Sequence, residues 1–413
     1  MAFSTALSGL TAASSDLDVT ANNIANADTV GFKESRAQFA DVYAAGAVNL
    51  NNSVIGQGVR LSSTAQQFTQ GNISTSSSNL DLAISGDGFY TLKDANGYVY
   101  SRNGQFGEDK SGNVISSTGQ ALQVYPPLIT GGFNTGTLSN LNLQTAQSAP
   151  LATTTGTVIL NLPANTVPPN GPFLATDSTT YNQSTSTTVY DSLGNAYPAT
   201  LYFSAVAALP LTVPPVAMVP NTWTVNMTVG GQPAGSGNLV FNNAGAVTTP
   251  VNGQLPFTYT PPNGASPMAM SFNFGATTQY GGQFGVTSIV QNGYATGQLS
   301  TVAIDPTGVV SAVYTNGRST QLGQLALANF PNPQGLKELG DTNWSETFTS
   351  GTVVSGVAGS AGFGSIQSGA LEASNVDLTT QLVDMITAQR AFQANAQVIT
   401  TANAESQTII NIH

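Results

Sequence analysis

The chain has 413 residues with 20 acidic and 9 basic side chains, a formal net charge of -11, and no cysteine. No Lys or Arg occurs between Lys110 and Arg318. The clustered cations that bind phosphate are therefore missing, which argues against nucleic acids and anionic membranes as partners, and disulfide or thiolate metal sites are excluded.

The N-terminal segment carries an apolar stripe with helical spacing. Large side chains recur every seven residues, with one more four residues after the first: Phe3, Leu10, Leu17, Ile24 and Leu7. Such a heptad stripe predicts a helix of about 22 residues, roughly 33 Å long. We expect it to end near Gly31, since glycine is suited to a left-handed cap.

Short alternating runs of Val, Ile, Thr, Tyr and Phe follow, and they predict strands. Four Asp-x-x-Gly segments separate such runs: Asp94 to Gly97, Asp109 to Gly112, Asp191 to Gly194 and Asp305 to Gly308. They predict hairpin turns. The alternative of a calcium loop is disfavoured because DANGYVY and DKSGNVI supply one acidic side chain each, whereas a calcium ion needs several converging oxygens.

The middle of the chain differs in composition from both ends. All prolines lie at or after Pro126, most of them before Ser271, and residues 146–280 have Asp177 and Asp191 as their only acidic or basic side chains. We interpret this stretch as a β domain inserted into another domain. The predicted domains are a helical terminal domain (1–70 with 365–413), an inner β domain (71–145 with 281–364) and the inserted outer β domain (146–280).

The C-terminal segment repeats the apolar stripe over a longer span. Its large side chains are Leu371, Leu378, Leu382, Met385, Phe392 and Ile399. About 35 helical residues would span roughly 50 Å. Asn375 to Asp377 precede the stripe with residue types that cap helix starts.

Catalytic chemistry has few candidates. His413 is the only histidine and the last residue, and GDGFY at 86–90 lacks the third glycine of a dinucleotide loop and is better explained as a strand entering a turn. Asp177 with Asp191 could form a glycosidase pair but has no supporting motif. We therefore predict no catalytic residue, no cofactor, no metal and no enzymatic activity.

Several segments resemble the rod and hook axial protein family of the bacterial flagellum. ANNIANADTVGFK (21–33) is similar to the segment after the N-terminal helix in that family, and SNVDLTTQLVDMITAQRAFQANAQVI (374–399) to its C-terminal helix. LDLAISGDGFY (80–90) and YSRNGQFGEDKSGNVISSTGQALQVY (100–125) resemble its inner β domain. The large central insertion favours a hook subunit over the shorter rod subunits.

The resemblance implies a mainly β, elongated multidomain subunit whose terminal helices form a coiled-coil-like inner domain, with β domains nested outward. It implies a structural subunit that polymerises into a short, flexible, curved tube, the universal joint that carries torque from rod to filament. The implied partners are further copies, the distal rod, the hook cap, the hook–filament junction proteins and the type III export apparatus. Export by that route agrees with an N-terminus that has no secretory-signal pattern, and it implies an extracellular location in the hook.

The apolar stripes are the predicted assembly surface. The ten residues are Phe3, Leu7, Leu10, Leu17, Ile24, Leu378, Leu382, Met385, Phe392 and Ile399. Their alternative role is an intramolecular two-helix coil, which unequal helix lengths and polar residues such as Ser14 and Gln389 in the seams disfavour. Two other functions stay open, a distal rod subunit and an extracellular adhesin or glycan-binding β protein.

Overall fold

A computed structural model describes residues 2–42, 56–144, 147–169, 171–206 and 221–411. The chain divides into two compact units. The terminal unit contains Met1–Gln144, Thr301–Val313 and Ser319–His413, and the inserted unit contains Thr145–Ser300 and Tyr314–Arg318. Both chain ends belong to the terminal unit, so the chain leaves it, builds the inserted unit and returns.

The elements follow in chain order. The first part of the chain contains α1 (Ala2–Ala25), β1 (Ser35–Asp41), β2 (Val59–Gln66), β3 (Ile73–Thr75), β4 (Leu82–Ser85), β5 (Phe89–Lys93), β6 (Tyr98–Ser101), β7 (Phe106–Glu108), β8 (Val114–Ser116), β9 (Ala121–Tyr125) and β10 (Ser139–Asn140). The middle contains β11 (Thr155–Pro163), β12 (Gln183–Tyr190), β13 (Ala196–Ala205), β14 (Thr222–Val229), β15 (Gln232–Phe241), β16 (Val247–Thr249), β17 (Gln254–Tyr259), β18 (Met268–Asn273), β19 (Thr278–Tyr280) and β20 (Gly285–Gln291). The last part contains β21 (Leu299–Ile304), β22 (Val309–Tyr314), β23 (Ser319–Asn329), β24 (Lys337–Gly340), β25 (Asn343–Ser345), β26 (Val354–Val357), β27 (Ser365–Ser368), β28 (Ala370–Glu372) and α2 (Leu378–Asn411). Short 3-10 helices occupy Ser178–Thr180 and Pro333–Gly335.

The terminal unit combines a helix pair with a β sheet. The helices α1 and α2 pack against each other, and β1 and β2 form an antiparallel hairpin that contacts α1. The main sheet runs in the order β21-β22-β23-β9-β5-β6-β25-β24. Two short antiparallel pairs, β3 with β28 and β4 with β27, join the chain after α1 to the chain before α2.

The core of the terminal unit lies against this sheet. Apolar side chains such as Tyr90, Leu92 and Leu327 are buried in one cluster. A second, aromatic cluster includes Phe89 and Trp344, whose rings meet edge to face at 5.7 Å. Edge-to-face contacts of this kind add to the stabilisation gained by burying the rings.

The inserted unit has two sheets around a core of its own. The first has the antiparallel order β12-β13-β14-β15-β16, and the second has the order β17-β18-β11-β19 with β20 also paired to β11. Alternate residues of β11, including Val158, Leu160 and Leu162, are buried, and they join the same core cluster as Trp223 and Val225 of β14. The alternation is the period-two pattern of strands with one face on a core.

All four predicted hairpin turns are confirmed. Each turn links two strands that lie side by side in a sheet. The Asp that begins each turn accepts hydrogen bonds from backbone N–H groups within it. Asp94 Oδ1, for example, accepts from the N–H groups of Asn96 and Gly97 at 2.6 and 2.8 Å. In GDGFY, residues 86–88 form the turn after β4 and Phe89 and Tyr90 begin β5, so the segment is a turn entering a strand and not, as predicted, a strand entering a turn.

The fold class predicted from the sequence is confirmed: the protein is mainly β, and its N- and C-terminal helices pack together. Both helices have nearly the predicted lengths, with 24 residues in α1 and 34 in α2. Gly31 has a φ of 71°, the left-handed conformation expected of it, but it lies six residues beyond the last helical residue. Over the described residues, no helix combines the length and apolarity that a bilayer crossing requires.

Candidate functional site

The two terminal helices contact each other through small side chains. Ala6, Ala13 and Thr20 recur seven residues apart on α1 and are 5%, 8% and 4% exposed. A Cβ atom on Gly9 would lie 2.6 Å from Oδ1 of Asn395, so the Asn395 side chain packs directly against the α1 backbone there. Since Asn23 meets Gln381 while Gly9 meets Asn395, the helices run antiparallel.

The ten predicted assembly residues lie beside this seam and not in it. Four of them are about half exposed: Phe3, Leu7, Leu378 and Leu382. The other six are partly buried: Leu10, Leu17, Ile24, Met385, Phe392 and Ile399. None of the ten is fully buried within the described residues. The small seam residues therefore hold the subunit's own helices together, while the large apolar side chains keep contact with solvent.

A buried amide pair fixes the register of the helices. Asn23 Nδ2 donates to Oε1 of Gln381 at 3.0 Å and to the backbone oxygen of Ser35 at 2.8 Å. The Ser35 N–H donates back to Asn23 Oδ1 at 2.9 Å. Gln381 Nε2 in turn donates to Oε1 of Glu34 at 3.0 Å. A one-turn slip of either helix would break the hydrogen bond between these two buried amides, which is costly.

The start of α2 is capped as predicted, but by one residue of the predicted three. Asp377 Oδ1 accepts from the N–H groups of Thr379 and Thr380 at 2.8 and 3.2 Å. Asn375 has a different role, because its Oδ1 accepts from the N–H of Glu34 and its Nδ2 donates to the backbone oxygen of Gln67. It therefore joins the start of α2 to the chain that follows α1.

An ion cluster is buried where these segments meet the sheet. Lys33 Nζ lies 2.7 Å from Oε1 of Glu372, and Arg102 Nη1 lies 3.1 Å from Oε2 of the same carboxylate. Glu372 also accepts from the N–H of Gly71 at 2.9 Å. All three ionic side chains are at most 4% exposed. The cluster ties together β28, the end of β6 and the segment after α1.

The cluster holds two cations against one carboxylate. Burial lowers the pKa of Lys33, Glu372 opposes this effect, and Arg102 adds to the lowering. Arg102 also donates to the backbone oxygen of Gly86 at 2.8 Å, but its Nε has no hydrogen-bond partner among the described residues. Glu372 is thus the one group that balances both cations.

The carboxylates considered for catalysis have structural partners. Asp177 is exposed and caps the 3-10 helix that begins at Ser178. Asp191 is fully buried; burial raises its pKa, but hydrogen bonds from Asn263, Asn195 and the Leu193 N–H outweigh burial and hold the pKa below its usual range. The carboxylate of Asp191 stabilises its hairpin turn. Among the described residues, which exclude His413, no group of His, Asp and Glu has the arrangement of a metal site.

Comparison with known families accounts for most of the chain. The profile described as "Flagella basal body rod protein" matches residues 3–33, and "Flagellar hook protein FlgE/F/G D1 domain" matches 83–170. "Flagellar basal body protein FlaE D2 domain" matches 161–294, and "Flagellar basal body rod FlgEFG protein C-terminal" matches 367–412.

Full-length relatives decide the identity. The flagellar hook protein FlgE of Salmonella typhimurium is 39% identical to this chain, and the alignment covers 100% of both. The chain belongs to the flagellar hook protein family. The FlgE of Borreliella burgdorferi, a further hook protein, is 31% identical over 98% of each chain.

A solved structure agrees with the fold. The crystal structure of the Helicobacter pylori flagellar hook protein FlgE2 has a TM-score of 0.53, with 14% identity, and covers 73% of this chain and 100% of that one. The full-length relatives show that this hook family member is a structural subunit of the flagellar hook, as the sequence predicted. The alternatives of a distal rod subunit and an adhesin gain no support from these full-length relatives.

Sequence reasoning missed several groups at this hook subunit's helix pair. The apolar side chains Val383, Ile386 and Val398 of α2 are 46–58% exposed, and Phe39 and Leu61 of the β1–β2 hairpin are 41% and 39% exposed. Val383 and Ile386 are large apolar residues outside the seven-residue series. A count of all apolar residues on each helix face would have found them.

Proposed function

We propose that this hook subunit polymerises through the large apolar side chains of α1 and α2. The observation that carries the proposal is that small and large side chains lie on different faces of the helices. Small residues form the seam inside one subunit, whereas Phe3, Leu7, Leu378 and Leu382 remain about half exposed. Exposed apolar surface on a folded protein commonly marks an interaction site. We assign the ten predicted residues to contacts between neighbouring subunits.

The energies favour reversible assembly. Completing the burial of one half-exposed large side chain gains roughly 1 kcal/mol. Four of the ten residues offer this gain and the six partly buried ones offer less, so their sum lies toward the lower end of the estimated cost of association, about 4–15 kcal/mol. Burial of the additional exposed residues Val383, Ile386 and Val398 would add to the favourable free energy of assembly. Assembly should therefore depend on subunit concentration.

The three predicted domains receive different roles. We propose that residues 1–70 with 365–413 line the channel, that 71–145 with 281–364 surround them, and that 146–280 lie outermost. The outer stretch is nearly uncharged, so its Thr, Asn, Gln and Gly side chains offer several hydrogen-bonding registers of similar energy. Contacts of this kind can exchange as the tube bends, which suits a universal joint that carries torque.

The wider setting follows from the family. We propose that the subunit leaves the cell through the type III export apparatus, contacts the distal rod, the hook cap and the hook–filament junction proteins, and functions outside the cell. We propose no catalytic role and no cofactor, since Asp191, the most buried carboxylate of the inserted unit, is occupied by its own turn.

Replacing exposed leucines tests the assembly surface. Leu378→Ser and Leu382→Ser remove two half-exposed side chains without opening the seam, so the folded subunit should persist. We expect the pair to raise the critical concentration for polymerisation by roughly thirtyfold, as about 2 kcal/mol would. Sedimentation and negative-stain microscopy give the polymer fraction, and circular dichroism gives the fold.

Leu339→Ser is the matched control, because Leu339 is 49% exposed but belongs to β24 and not to either helix. It should leave the critical concentration unchanged. Equal critical concentrations for the helix pair and this control would show that the helix faces are not the assembly surface.

A further inference from the structure

A groove lies between α1, α2 and β1 on the terminal unit. It has a volume of about 530 Å³, and the side chains around it include Asp16, Glu34, Arg36 and Asp384. Asp16 and Asp384 come from different helices and face each other closely enough to interact. Burial raises the pKa of Asp16, Asp384 raises it further, and Arg36 lowers it. The groove thus holds two carboxylates in mutual repulsion.

Neither carboxylate is neutralised by a direct contact. Among the described residues the ion pairs are those of Lys33 and Arg102 with Glu372, and neither Asp16 nor Asp384 takes part. Arg36 lines the same groove but lies outside ion-pair distance of both. The groove therefore has room and charge for one more cation.

Arg390 is a cation without a partner. It is the only basic residue in the sequence of either helix, and its side chain is exposed. The positions three and four residues away on its helix are Ile386, Thr387, Gln393 and Ala394, so no acid within its own helix can reach it. In the described part of the chain it forms no ion pair.

Arg390 cannot reach the groove of its own subunit. It follows Ala388, a buried seam residue, by two positions, which is about 200° around the helix. Its side chain therefore points away from α1. Asp384 is four residues before Ala388 and so lies close to the seam side of α2. The helix α2 thus carries an unpaired cation, Arg390, on the face opposite α1 and an unpaired anion, Asp384, near the face that packs on α1.

We propose that Arg390 of one subunit docks in the groove of a second copy of this chain and pairs with Asp384 and Asp16. The inference rests on the proposed polymerisation through the terminal helices. Burying Arg390 between helices without a carboxylate would be strongly unfavourable, and the groove supplies two. Because the two surfaces lie on different faces of the subunit, the contact is head to tail, and such contacts generate open helical polymers.

Charge reversal tests the pairing on the full-length chain. Arg390→Glu alone and Asp384→Lys alone should each lower the sedimented polymer by roughly tenfold at low ionic strength, because each places like charges at the contact. The double variant should recover most of the polymer. An equimolar mixture of the two single variants should recover it too, since each chain then offers the complement of the other.

Glu405→Lys is the control, because it reverses an exposed acid of α2 that lies outside the groove. It should not change the sedimented polymer. The pairing is overturned if both single variants polymerise at the wild-type level. It is also overturned if neither the mixture nor the double variant recovers polymer. Either result leaves the proposed polymerisation through the terminal helices standing. Failure of the wild-type chain itself to polymerise would instead overturn the proposed function.

A disulfide test identifies the occupant directly. The chain has no cysteine, so Arg390→Cys with Asp384→Cys introduces the only thiols. Six positions apart on one helix means a rise of roughly 9 Å, too far for a bond within one copy. Oxidised hooks recovered from cells should give a ladder of linked copies on non-reducing gels, and Arg390→Cys with Glu405→Cys should not. Hooks with no linked copies, or with Arg390→Cys linked to another protein, overturn the proposal.

Discussion

Glu372 is a single carboxylate that balances two buried cations in a protein with few charges. It accepts from Lys33, Arg102 and the Gly71 N–H, and each of these contacts comes from a different segment of the terminal unit. Removing a carboxylate that balances two buried cations should cost much more than removing one of the cations. The lowered pKa of Lys33 points the same way, because burial of that ammonium outweighs its attraction to Glu372.

A pair of substitutions tests this asymmetry. We expect Glu372→Gln to lower the free energy of unfolding by about 3–5 kcal/mol, since two buried cations lose their counter-charge. Lys33→Met should cost about 1–2 kcal/mol, because Glu372 keeps Arg102 while the hydrogen bond to the Thr69 oxygen is lost. Denaturant unfolding of the monomer, followed by circular dichroism, measures both. Equal losses for the two variants would contradict the asymmetry.

The ion cluster shows what sequence reasoning could not reach at the residue scale. Lys33 and Glu372 are 339 positions apart, and although Lys33 ends the segment ANNIANADTVGFK, that segment gives no sign of its partner. Nothing in the neighbourhood of either residue indicates a partner. The Asp-x-x-Gly turns are the opposite case, because the carboxylate of Asp94 or Asp109 bonds to N–H groups two to four residues away. Local chemistry made those turns predictable.

At the scale of elements, the helices were predictable but their seam was not. The seven-residue series of large apolar residues located both α1 and α2 and nearly their lengths. The seam residues Ala6, Ala13 and Ala388 come three positions after members of that series, which places them about 60° around the helix from it. Alanine carries a weak hydrophobic signal, and what it contributes is close approach of the backbones. The position of the seam is therefore set by side-chain size, which hydropathy patterns do not record.

Enlarging a seam residue should separate the helices. We expect Ala388→Leu, at a position 3% exposed, to destabilise the terminal unit by about 1–3 kcal/mol through overpacking against α1. Ala394→Leu, on the exposed side of the same helix, has equal propensity and volume and should change little. Thermal unfolding and limited proteolysis of α2 report the difference. Similar stability for the two variants would mean that the seam tolerates larger side chains.

For the whole molecule, the boundary between the two units determines which parts can be removed cleanly. The predicted insertion at 146–280 stops before β20, which pairs with β11 through Val158 and Ile289. Removing only that stretch would leave β20 without its partner and expose its apolar side chains. The compact inserted unit has its own buried core and consists of Thr145–Ser300 with the short segment Tyr314–Arg318, so residues 145–300 are the better segment to delete.

We expect the deletion of residues 145–300, with Gln144 joined to Thr301 through a short Gly-Ser linker, to leave the terminal unit folded. The α1–α2 seam, the ion cluster and the exposed helix faces all lie outside the deleted residues. Polymers should therefore still form, but their curvature and stiffness should change, because the nearly uncharged surfaces that exchange contacts during bending are gone. Negative-stain images give the curvature and the persistence length, with the intact chain as the reference. Loss of all assembly would mean that the inserted unit supplies essential contacts, and unchanged curvature would mean that bending is governed by the terminal unit alone.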